Sequence, residues 1–274
     1  MNQWWKRGIL IFVLAWLTTA GQAQEVSVFG GFTSQEVTYR RFGSLSLFQG
    51  QSIYDTRIET SFLPVAGIAA DYDLWGWTVG ATIATAGLGE SSLRTFKSNS
   101  RSNAQTNVVQ ANQGTQQVSV SLRLGPPLKL QTQDGDLSAG LYAIAEGSYT
   151  QHAELQEAMN LHYGVGGNVT LRINDTWRVS TYAEAKRGGA LLNNEAALDS
   201  DAREYRFETL SAKIGLRIEA EINDSLSGNF NVSREYIWGA GGAKLATSQA
   251  FIPFQTAEYA SHVHLVTIGL SSRF

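Results

Sequence analysis

Apolar and polar residues alternate along this chain with a period of two, in about ten separate stretches. The clearest is 118–125, where Val118, Val120, Leu122 and Leu124 interleave with Ser119, Ser121, Arg123 and Gly125. A period of two puts the two sets on opposite faces of a β-strand. The same pattern predicts strands at 25–39, 59–72, 77–84, 138–149, 162–173, 177–186, 204–222, 226–238 and 258–274. Pro64 falls inside the second of these. Proline cannot donate to a strand ladder, so a bulge or irregularity is expected there.

The connections sort by length. Short turns are predicted near Asp73, Gly135, Asn174 and Asn223. Longer connections are predicted at 40–58, 87–116, 150–161, 187–203 and 239–257. In an antiparallel array of ten strands, all four short turns fall at one end and every longer loop at the other. The fold class is therefore all-β, a closed antiparallel β-barrel. A hairpin hidden in 40–58 or 87–116 would change the count to twelve, and eight is the other alternative. A soluble barrel could carry the same alternation, but with its apolar face turned inward.

The last stretch, 260–274, reads ASHVHLVTIGLSSRF and ends on an aromatic residue. It resembles the C-terminal β-signal of Gram-negative outer-membrane β-barrel proteins. Thr267, Gly269 and Phe274 match that pattern, while Ser272 stands where an apolar residue is usual. The resemblance identifies a class and no particular family. It implies a transmembrane barrel with short periplasmic turns and long extracellular loops, inserted by the outer-membrane barrel assembly machinery. The N-terminus agrees. Lys6 and Arg7 precede an apolar run from Gly8 to Leu17, and small residues stand at Gly21 and Ala23. That is the order of a cleaved secretory signal peptide. The expected organisation is a signal peptide at 1–23 and a single barrel domain at 24–274, located in the outer membrane of a Gram-negative bacterium.

Composition changes this picture little. Gly is abundant (27), Pro scarce (4) and Cys absent. The formal charge of −3 argues against a nucleic-acid partner. The expected partners are outer-membrane lipid and lipopolysaccharide, with the surface ligand left open.

Aromatic residues cluster at the two expected membrane interfaces. Tyr72, Trp75, Trp77, Trp177 and Phe274 fall at the periplasmic rim, and Tyr39, Tyr149, Tyr163, Tyr205, Phe207, Tyr236, Trp238 and Tyr259 near the outer one. In the membrane reading the polar face lines the lumen. It carries Arg123, Glu146, Arg172, Arg178, Glu184, Lys186, Lys213, Arg217, Glu219, Glu221, Glu235 and Arg273. Ten strands enclose little more than side chains can fill. A charge-plugged lumen is therefore expected, with a narrow pore for small solutes as the alternative.

Function then moves to the loops, which a rigid scaffold presents. The expectation is a non-enzymatic surface protein that binds or adheres through them. Basic residues Arg94, Lys97 and Arg101 mark one loop, and Glu195, Asp199 and Asp201 another. Barrel proteases of the omptin type carry Asp pairs and an Asp/His pair on the outer rim. Here Asp71 and Asp73, and Asp134 and Asp136, fall on turns predicted at the opposite end, and no Asp-x-His occurs. His264 with nearby Ser261 could serve a lipid hydrolase at the outer rim. His262 with His264, or His152 and His162 with Glu154 and Glu157, could hold a metal. No third ligand or motif completes these sets. No catalytic residue, cofactor or metal is assigned.

Overall fold

In the computed structural model the described residues are 24–42, 52–74, 77–87, 92–99, 104–111, 115–126, 129–132, 136–152, 156–194, 202–245 and 256–274. The expected signal peptide lies outside them. Thirteen strands are present among these residues, in chain order. They are β1 (Glu25–Phe42), β2 (Ser52–Leu74), β3 (Trp77–Ala86), β4 (Ser92–Asn99), β5 (Ala104–Ala111), β6 (Thr115–Gly125) and β7 (Lys129–Gln131). There follow β8 (Leu137–His152), β9 (Gln156–Arg172), β10 (Trp177–Asn194), β11 (Ala202–Asn223), β12 (Leu226–Leu245) and β13 (Thr256–Arg273).

Ten of them close a barrel in the order β1-β2-β3-β6-β8-β9-β10-β11-β12-β13, with β13 returning to β1. All pairings are antiparallel. Phe29 of β1, for example, lies between Gly67 of β2 and Gly269 of β13. The segment 87–116, expected to be irregular, contains the β4–β5 hairpin. That hairpin extends the sheet from the upper half of β2 and does not enter the barrel wall. Strand β7 pairs with the start of β8, along the edge that β6 occupies further on.

Two turns at the short-turn end share one mechanism. The side-chain oxygen of Asn174 accepts from the backbone N–H groups of Thr176 and Trp177, at 2.9 and 2.8 Å. Asn223 does the same for Ser225 and Leu226, at 3.0 and 2.9 Å. The repeated Ile-Asn-Asp is thus a repeated Asx turn. The irregularity expected near Pro64 falls two residues earlier. The β1–β2 register shifts between Thr33 and Gln35, and Phe62 takes a positive φ of 54°. Pro64 itself stays in register opposite Phe32.

The strands run far beyond their expected ends. β2, β11 and β12 contain 23, 22 and 20 residues, where a tilted strand needs about 9–11 to cross a bilayer. The expected loops at 40–58, 150–161, 187–203 and 239–257 are correspondingly shorter, because strand continues into each. The reason is an inversion of faces. Near the short-turn end the outward residues are apolar and exposed, as with Val165 at 65% and Ile268 at 69%. Nearer the long-loop end the apolar residues point inward. Val37, Tyr39, Leu192, Tyr205, Phe207, Ile237 and Tyr259 form one buried cluster inside the barrel. Rings of Tyr39 and Tyr205 lie 5.0 Å apart, and those of Phe207 and Tyr259 5.2 Å. The outward residues on the same segments include Arg40, Arg206, Glu208 and Glu258, all exposed. This upper part is a collar with a conventional apolar core and a charged outside.

That inversion corrects the expected outer girdle. Tyr39, Tyr205, Phe207 and Tyr259 are core residues of the collar. Tyr163 and Trp238 do stand outward and exposed. Replacing Phe207 by Ala removes a ring from a filled core, and such truncations cost about 3 kcal/mol or more. Urea unfolding of the refolded barrel should show that loss. Arg206→Ala, one residue away on the exposed outside, should stay within about 0.5 kcal/mol.

Candidate functional site: the barrel lumen

Alternation within the apolar belt sends polar side chains inward, and the register stacks them in layers. Near the short-turn mouth, Arg273 meets Glu219 at 3.0 Å, Glu221 at 3.2 Å and Glu25 at 3.6 Å. Arg178 pairs with Glu221 and lies 3.8 Å from Glu219. Arg217 reaches Glu25 at 3.6 Å and Glu219 at 3.5 Å. Three guanidinium groups thus share three carboxylates.

A second cluster lies higher. Lys186 is completely buried and its Nζ contacts Glu146 at 2.5 Å, Glu235 at 2.7 Å and Glu184 at 3.6 Å. The hydroxyl of Ser211 donates to Glu235. Glu184 also accepts from Arg123 at 3.3 Å and from the Tyr142 hydroxyl at 3.0 Å. The Arg123 guanidinium lies over the Tyr142 and Tyr182 rings, at 5.4 and 5.9 Å from their centroids. Both rings have a glycine in front of them. A Cβ on Gly166 would strike Tyr142, and one on Gly215 would strike Tyr182. Glycine is required at these two positions for the tyrosines to lie flat along the wall. The same holds at Gly269, where a Cβ would meet the backbone of Val28. His162 points inward and shares a 2.8 Å hydrogen bond with Thr209.

All twelve charges assigned to the lumen from sequence stand on inward positions of these strands. Arg172 does not join the networks; it pairs at 2.6 Å with Asp175 in the turn. Lys213 sits between Glu184 and Glu235 in the register and lines the central space. Sequence reading overlooked two inner carboxylates. Glu25 serves two arginines, and Asp71 lines the lumen beside Gly80. Both have the inward parity of their strands. Asp71 was hidden by its assignment to a turn, although β2 runs on to Leu74.

The lumen is filled unevenly. Strands β8 to β12 contribute most of the large charged and aromatic side chains, joined by Arg123 of β6 and Arg273 of β13. The opposite wall carries Ala69, Gly80, Thr82, Ala84, Ser119 and Ser121. A cavity of about 600 Å³ is left between these small residues and the side chains of the opposite wall, among them His162, Tyr182, Lys213 and Glu235.

The other expected sites are placed as follows. Trp77 and Trp177 stand outward and exposed near the short-turn end, as does Phe274. Tyr72 packs against Ala70 and Ala81. Trp75 lies outside the described residues. Thr267 is buried. Ser261 and His264 cannot act together. Ser261 is buried inside the barrel, and His264 is exposed on the other face of β13. His162 is held by Thr209, and Glu157 by the Tyr149 hydroxyl at 2.8 Å. Glu154 and the side chain of His152 lie outside the described residues. Among the described residues no three His, Asp or Glu side chains converge as a metal site needs.

No protein-family model matches this chain, and no curated protein matches it by sequence. Solved structures do resemble it. The outer membrane protease OmpT of Escherichia coli is similar over 91% of this chain and 96% of its own, with a TM-score of 0.67 at 11% identity. The outer membrane protein OprG of Pseudomonas aeruginosa covers 92% of this chain and 98% of its own, at 8% identity and a TM-score of 0.39. The attachment invasion locus protein Ail of Yersinia pestis covers 92% and 99%, at 10% identity and a TM-score of 0.31. The last two scores are too low to carry an argument. The first establishes the fold: a closed antiparallel ten-stranded barrel of the outer-membrane type. At 11% identity it establishes the fold alone.

Among the described residues Lys186 is the cation whose Nζ reaches Glu146, Glu184 and Glu235 together, at 2.5, 3.6 and 2.7 Å. Lys186→Met leaves them without it, and breaking a buried pair in this way costs about 3–5 kcal/mol. Urea unfolding should show that loss. Adding Glu146→Gln should recover part of it, because one uncompensated charge is then gone.

Proposed function

We propose that this protein is an integral outer-membrane barrel that acts without catalysis, holding a rigid collar and its loops above the membrane for binding or adhesion. One observation carries the reading: strands of about twice the spanning length continue into a collar that has its own apolar core. A pore has no use for such a core, whereas a platform needs one. The Lys186 cluster beneath it supports a lumen closed over the β8–β12 half.

The cavity inside the barrel favours a second reading, a narrow path for small solutes past the small side chains of β2, β3 and β6. OmpT is a protease, and the likeness raises that activity for this chain as well. The Asp side chains described here are Asp71, Asp73, Asp136, Asp175 and Asp224, and all stand at the short-turn end. Asp55, Asp199 and Asp201 fall toward the long-loop end with side chains outside those described, so what speaks for the non-enzymatic reading is the sequence, in which no Asp-x-His occurs.

Fractionation should find the protein in the outer membrane, in a form whose gel mobility changes on boiling. The refolded barrel should then be silent in a planar bilayer. Glu184→Ala, which frees Arg123 and removes one acid from Lys186, should introduce measurable current. Steady, salt-dependent openings of the unaltered barrel would transfer the reading to the solute path. Removing residues 92–111 should leave the gel shift intact, since among the described residues that hairpin pairs with β2 alone. It should reduce adhesion of expressing cells to a panel of immobilised glycans and matrix proteins.

A further inference from the structure

On the outer surface polar side chains replace apolar ones at the upper edge of the belt on the β1–β13–β12 sheet. In the β1–β13–β12 sheet, Phe32, Val266 and Val232 form one outward row, all exposed. The next row up is Ser34, His264 and Arg234. The row above that contains Glu36, His262 and Tyr236. Arg234 and His264 are exposed on the outside of the barrel, where the lumen networks do not reach them. The Arg234 guanidinium lies over the Tyr236 ring, 4.5 Å from its centroid. The His262 ring meets the same tyrosine edge-on, at 4.9 Å. Stacking fixes the plane of the guanidinium while leaving its N–H edge free to donate.

The height of this group follows from the strand. His264 lies ten residues from the terminal Phe274. Ten residues at ~3.3 Å each, tilted by ~40°, rise about 25 Å, which is the height of an apolar barrel band. Trp238, exposed two positions beyond Tyr236, marks the same upper edge. A cation, two imidazoles and a phenol therefore stand where lipid headgroups begin, directly above a strip of exposed apolar side chains. Glu36 stands beside His262 within the patch and Glu59 lies opposite Glu36 on β2; neither carboxylate is free, so the phosphate is met by Arg234 and His264 on the far side of the row.

From this geometry we infer that Arg234, Tyr236, His262 and His264 form a binding site for the phosphorylated sugar headgroup of lipid A, the membrane anchor of lipopolysaccharide. Arg234 donates to the phosphate from its fixed edge, and the imidazole N–H groups and the Tyr236 hydroxyl add donors to phosphate or sugar oxygens. The acyl chains lie on Phe32, Val266 and Val232. Lipid A is the occupant the patch fits, because its phosphate sits on a sugar rich in oxygen acceptors and its several acyl chains match an apolar strip three strands wide. The inference rests on the outer-membrane reading, with the long-loop end outside.

The test titrates the refolded full-length barrel, in non-ionic detergent, with lipid A, dephosphorylated lipid A, phosphatidylglycerol and inorganic phosphate, read by native mass spectrometry. Lipid A should bind in saturable one-to-one fashion, with the other three at least tenfold weaker. Arg234→Gln combined with His264→Gln should weaken lipid A at least tenfold. Both groups are exposed, so the gel shift on boiling should persist. As a second variant, Tyr236→Leu should also weaken lipid A, by releasing the guanidinium from its fixed plane. Equal binding by the variants, or by dephosphorylated lipid A, would overturn the site. Phosphatidylglycerol binding as tightly as lipid A would overturn the choice of lipid. Failure of the membrane reading would show separately, as absence of the protein from the outer membrane.

Discussion

Everything in this molecule depends on closure of the sheet, because closure leaves no strand edge in the wall. β1 is the seam, hydrogen-bonded to β2 on one side and to β13 on the other. A backbone amide left unpaired in a lipid environment costs several kcal/mol, so an open version of the sheet would not be stable there. The first and last strands must therefore find each other across almost the full chain. The terminal strand carries a device for this. Gly269 faces Phe29 and Val28 where a Cβ would not fit, so the two strands can lie at ladder distance. The seam continues to the end, with Phe274 donating its N–H to the Gln24 carbonyl at 3.1 Å.

Closure also dictates what the interior contains. Residues of one parity are forced inward over the whole length of each strand, and their chemistry must suit a narrow space. In the belt those residues are polar, because the apolar set is needed outside. Burying ions alone would be prohibitive, and the structure answers by sharing. Lys186 touches three carboxylates, and three arginines share Glu25, Glu219 and Glu221. Such networks are weak sources of net stability but strong penalties against misregister. A one-residue slip of β10 would turn Lys186 and Glu184 toward the apolar exterior. The networks therefore specify register more than they add stability.

The barrel was legible in the sequence because the alternation in the belt has a constant sense. Val118 to Leu124 outside and Ser119 to Arg123 inside is the same pattern that β13 shows from Val266 to Leu270. The collar was not legible, because there the sense reverses without a break in the strand. On β10, Glu184 and Lys186 face inward, and so do Ala190 and Leu192 a few residues later. A reader following apolar-outward alternation sees the pattern fail and writes a loop at 187. The aromatics misled for a related reason. Tyr205 and Phe207 occupy the rim in sequence, but their parity is inward, and parity decides between girdle and core. The same rule, applied to Asp71, would have found the carboxylate that a turn assignment concealed.

The reversal has a consequence for how the molecule divides its labour. Below it, packing energy comes from outside, through contact of the belt with lipid, and the interior needs only to balance charge. Above it, the interior must supply an apolar core as any water-soluble domain does, and Tyr39, Tyr205, Phe207 and Tyr259 are that core. One continuous set of strands thus belongs to two solvents. The boundary between them passes through the outward row of Ser34, His264 and Arg234, where polar side chains first replace apolar ones on the outer face. Inside, the corresponding change comes where His162 and Thr209 give way to Ala158 and Phe207. Outer and inner faces change character together along the strands because both respond to the same plane, the upper surface of the membrane band, which a soluble barrel has no reason to mark.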